Sequence, residues 1–72
     1  MTDGRELEGL YELRAALLEE RQVVVASVRI LRDLHQRKGS FVLGDGAAYG
    51  LRFLALQQQI DSVEGVIARL TR

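Results

Sequence analysis

From residue 49 onward the apolar side chains Tyr49, Phe53, Leu56, Ile60, Val63, Ile67 and Leu70 recur at alternating steps of four and three, with no polar residue in the series. A stripe with a period of 3.5 residues stays on one side of a helix only if the helix wraps slightly around a neighbour. The pattern therefore predicts a helix built to lie against another helix. Earlier in the chain Leu10, Leu17, Val24 and Leu31 fall seven apart and mark the centre of a broader apolar face. Leu13 and Leu34 flank it on one side, and Leu18, Val25 and Val28 on the other. A face that wide serves two neighbours: the second helix supplies one, and the other must be a copy of this chain or a different protein. The run Val23 to Val28 is rich in β-branched residues, which suit a strand. Leucine-rich helical periodicity on both sides predicts instead that it continues the helix.

Proline is absent, so glycine is the main punctuation, and four of the seven glycines (Gly39, Gly44, Gly46 and Gly50) fall in one window. That window divides the chain into helices over about 5–37 and about 47–70, joined by a linker over 38–46, all within one domain of residues 1–72. Thr2 or Asp3 is the expected cap of the first helix, with Glu6 and Glu8 in a first turn where carboxylates suit the helix dipole. Arg37 and Lys38 before Gly39 give the matching stop. At 1.5 Å per residue the helices would be roughly 50 Å and 35 Å long. Either the N-terminal turns overhang, or the linker folds back along the hairpin.

Composition narrows what such a hairpin can be. A chain of 72 residues buries too small a share of its surface to be comfortably stable without a disulfide, a metal or a partner. It has no cysteine, and one histidine, His35, makes no metal site by itself. Partnership is the remedy left. Ten basic and ten acidic side chains cancel and are interspersed, which argues against a nucleic-acid surface. Without a charged-then-apolar leader or a run of eighteen apolar residues, the chain reads as cytosolic and soluble, with no membrane partner.

The candidate chemistry is sparse. Phe41, Val42 and Leu43 leading into Gly44, Asp45, Gly46 and Gly50 imitate the strand and glycine turn that present backbone amides to a phosphate. The second strand and the acidic residue that such a fold requires do not follow. Asp45 as the cap of the second helix, with Phe41 to Leu43 tucked into the open end of the hairpin, is the simpler account. Arg14, Glu20, Arg21 and Arg32 lie on or beside the apolar face of the first helix. Leu17, Leu18, Glu20, Arg21 and Arg32 resemble the first helix of small helical chorismate mutases, whose arginines bind a dicarboxylate, but the third helix of those enzymes has no counterpart here. Long arginine stems covering the seam edge, their heads in water or paired with Glu20, account for the same residues. His35 suits the dipole at the end of its helix, and Gln57, Gln58 and Gln59 suit a solvated face. Gly65, inside a helix at a cost of roughly 1 kcal/mol against alanine, suggests a close approach by another backbone or bulky side chain. No enzyme and no cofactor is expected.

Leu56, Gln57, Gln58 and Gln59, followed by Val63, Glu64, Gly65 and the apolar tail Val66, Ile67 and Leu70, resemble the second helix of the small E-type co-chaperones of type III secretion systems, the YscE/PscE family. The Met1-Thr2 start and the chain length are also similar. The resemblance implies a two-helix hairpin that binds a helical-repeat chaperone subunit and stabilises a complex keeping the needle protein from polymerising. It covers about fifteen residues of a helical pattern, while the first helix here is more apolar and the linker longer. The sequence reading is thus an all-α antiparallel hairpin, coiled-coil-like, that completes a bundle by oligomerisation or partner binding. Its partner interface is expected at Leu18, Val25, Val28, Phe53, Leu56, Ile60, Val63 and Ile67. A homodimeric four-helix bundle serving as scaffold or adaptor is the alternative.

Overall fold

A computed structural model describes residues 4–38 and 45–72, and side chains within 4–34 and 47–72. Two helices, α1 over Gly4–Lys38 and α2 over Asp45–Leu70, run antiparallel as a hairpin. They begin and end within two residues of the positions that the glycine window and the apolar period predict. Val23 to Val28 is helical throughout. Ser27 donates its hydroxyl to the Val23 carbonyl at 2.8 Å, so its hydrogen-bonding capacity is met locally, one turn back. The expected caps Thr2 and Asp3, the segment Phe41 to Leu43, and the side chains of His35, Arg37, Lys38 and Asp45 lie outside the described residues.

The core is one seam between the two helices. Leu56, Ile60, Val63 and Ile67 of α2 are buried, as is Val24 of α1, with Leu10, Leu17 and Leu31 half-buried in the same row of α1. This is the heptad arithmetic made physical. Residues at steps of four and three share one side of α2, and that side is covered from Leu56 to Ile67. At the end of α2 the Thr71 amide and hydroxyl both donate to the Ile67 carbonyl, at 3.0 and 2.8 Å. They satisfy an acceptor that the terminating helix would leave open. Arg69 stands in the last turn, where a cation suits the dipole.

Two polar contacts fix the register. Arg21 donates to the Gln57 side-chain oxygen at 2.8 Å, and Arg52 reaches Glu20 at 2.9 Å. With these residues alongside one another, the first turns of α1 stand level with the last turns of α2. The surplus length of α1, 35 residues against 26, therefore lies at the linker end, beyond Leu31. Of the two sequence expectations for the unequal lengths, an N-terminal overhang is corrected: register is set by cross-helix pairing in the middle of the hairpin, which lengths alone do not reveal. The molecule is a rod of 57 × 15 × 14 Å with a radius of gyration of 16.7 Å, where a compact domain of this length would have about 11 Å.

Candidate functional site

An α-helix packed on a single neighbour buries one stripe and leaves about two thirds of its circumference open. In this hairpin what is left open is unusually apolar. Tyr11, Leu13, Val23, Val25, Val28, Ile30 and Leu34 of α1, and Leu51, Phe53 and Leu54 of α2, are all exposed. They divide between the two broad sides of the hairpin and the outer surface of α2.

On one side Val24, Val25 and Val28 of α1 face Tyr49, Gly50 and Phe53 of α2 across an open groove of about 320 Å³, with Arg29 at its rim. Gly50 makes the floor low, since nothing approaches within 4 Å of the position a β-carbon would take. Farther from the linker the same side turns polar. Arg21 reaches Gln57, whose amide donates to Asp61 at 3.0 Å, and the Arg14 guanidinium sits 5.2 Å from the Tyr11 ring centroid, a cation–π distance. The opposite side holds a second open groove between Leu13 and Leu17 of α1 and Ala55, Gln59, Ser62 and Val63 of α2, and the exposed Glu20–Arg52 pair also joins the helices.

The residues expected at a partner interface separate into two sets. Leu56, Ile60, Val63 and Ile67 are closed off inside the hairpin, so a molecule docking on the folded chain does not reach them. Val25, Val28 and Phe53 are exposed and lie together in the linker-side groove, and Leu18 is half-buried farther along the same side. The separation follows from period. The α2 stripe is narrow and is consumed by one neighbour, whereas the α1 face is wider than one neighbour can cover.

The arginines also differ from expectation in detail. Glu20 pairs with Arg52 of α2, and Arg21 bonds Gln57; Arg14 stands over Tyr11. Gln57, read as part of a solvated face, is instead half-buried in a cross-helix hydrogen bond. The close approach expected at Gly65 is corrected as well. Among the described residues, nothing beyond its own helical turn comes within 4 Å of the β-carbon position there, because this residue points away from α1. Among the described residues there is no group of three or more side chains suited to a metal ion, and no helix is long and apolar enough to cross a membrane. Val23 and Ile30, at 58% and 63% exposure, and Leu51, at 70%, were passed over in the sequence. For Val23 and Ile30 the signal was there, since both continue the row of Leu13 and Leu34 at helical spacing.

Comparison with known proteins gives no matching family model, no matching curated protein and no matching solved structure.

Proposed function

We propose that this hairpin is a protein-binding module that covers the apolar surface of a partner, a co-chaperone for a self-assembling protein. The observation that carries the reading is the groove where Val25, Val28 and Phe53 stand open beside Tyr49 and Gly50. A concave apolar patch between two rigid helices suits the apolar face of an incoming helix. Under the likeness to the E-type co-chaperones, that helix belongs to a helical-repeat chaperone subunit, and the cargo is a type III secretion needle protein. The mechanism is occlusion: apolar side chains that would self-associate are held against the groove, and release returns them to assembly.

Reconstitution tests this. The wild-type chain, mixed with a helical-repeat chaperone subunit and its needle protein, should give a soluble ternary complex on a sizing column. Val25→Asp should abolish it by placing a charge in a desolvated contact. Changing Arg14, Arg21 and Arg32 together to Gln should weaken it less than about tenfold, because none of the three lines the groove around Phe53. A complex indifferent to Val25→Asp would remove the groove from the reading. Chorismate turnover by the wild type, lost in the arginine variant, would replace the module with a mutase.

A further inference from the structure

The side of α1 away from that groove carries a stripe with a leucine at each end and a valine at its centre. Leu13, Ala16, Glu20, Val23, Ser27, Ile30 and Leu34 follow at alternating steps of three and four and so share one face of the helix. When a copy is turned end for end about Val23, Leu13 meets Leu34, Ala16 meets Ile30, Glu20 meets Ser27, and Val23 meets itself. Leucine lies on leucine and a small residue under a large one, while Glu20 keeps its pair with Arg52 and Ser27 its bond to Val23. Val23, Ile30 and Leu34 are exposed, and Leu13, at the edge of a groove with α2, is exposed over nearly half its surface.

Surface area states how much cover is missing. A compact monomer of 8.1 kDa exposes about 4,500 Å², whereas this chain exposes 5759 Å², a surplus of roughly 1,300 Å² over that scaling. A standard interface removes about 800 Å² from each partner, and an obligate homodimer removes more. The surplus is enough for one such contact with several hundred Å² to spare, part of it in the open groove. A two-fold contact demands a surface complementary to itself, which leucine on leucine, alanine under isoleucine and valine on valine provide. We propose that two copies of this chain pair antiparallel through this stripe, with the two-fold axis beside Val23. The resulting four-helix bundle leaves the groove around Phe53 open on each hairpin, so the pairing is independent of what the groove binds.

The chain has no cysteine, which permits a direct test. Val23→Cys on a two-fold axis brings two thiols within disulfide reach and should crosslink under mild oxidation, while Val25→Cys on the groove side should stay uncrosslinked at the same concentration. Val23→Asp sets two carboxylates face to face and should weaken the dimer by about a hundredfold or more in sedimentation equilibrium. Its helicity should be retained, because the site lies off the hairpin seam. Equal crosslinking of the two cysteine variants, preference for Val25→Cys, or a wild type that sediments as a monomer at every concentration would each overturn the proposal. Loss of partner binding in Val25→Asp leaves it untouched, which keeps the two surfaces separable.

Discussion

Ile60, with 1% of its surface accessible, is where a single substitution does most. Ile60→Asp buries an unpaired carboxylate at a cost of several kcal/mol, comparable to the whole stability of a small domain, on the order of 5 kcal/mol. Circular dichroism should show the helical signal lost or its melt strongly lowered, while Gln58→Ala on the exposed outer surface should melt like the wild type. Gly65→Ala makes an opposite prediction. The β-carbon enters open space, helix propensity improves by roughly 1 kcal/mol, and the melting midpoint should rise by about 4–8 °C. A fall instead would mean that another chain lies against Gly65. The Arg21–Gln57 bond is half-buried and so differs from the exposed Glu20–Arg52 pair. A double-mutant cycle should give about 1 kcal/mol of coupling for the first and less for the second, with only the second falling as salt is added.

At the scale of the element, α2 was the more legible helix. Its stripe has the width of one contact, and the middle of it, Leu56, Ile60, Val63 and Ile67, is what the structure closes off, while Tyr49 and Leu70 are half-buried and Phe53 is exposed. For α1 the same reasoning located the central row of Leu10, Leu17, Val24 and Leu31. It did not determine which flanks stay open, since a broad face has several equivalent ways to meet one partner. That difference predicts how the helices respond to charge. Val25→Asp and Phe53→Asp lie in the open groove and should leave the helical melt within a few degrees of wild type while eliminating partner binding. A hairpin that unfolds on Val25→Asp would mean that this valine supports the seam.

At the scale of the molecule, a rod this thin has little interior relative to its surface, and the proposed pairing would cover part of the rest. Unfolding should therefore depend on concentration. The melting midpoint of the isolated chain should rise over a dilution series read in reverse, from micromolar to hundreds of micromolar, as mass action requires of a dimer whose subunits are weak alone. A midpoint constant over that range would identify a self-sufficient monomer.

The sequence by itself determined the class and plan of the protein. Two helices, their ends within two residues, the break at the glycine window and the buried stripe of α2 all follow from residue type and spacing, because period and glycine act locally on the backbone. Only the tertiary structure decided the register: Arg21 beside Gln57 rather than in water, Glu20 with Arg52 rather than with a neighbouring arginine, and the overhang of α1 at the linker end. It also decided that Gly65 faces open space and that Val23 and Ile30 remain uncovered beside a filled seam. The physical reason is common to all of these. Spacing along a helix states which side chains share a face, but which face is covered, and what stands opposite each residue, depends on how two surfaces slide and turn until their side chains fit.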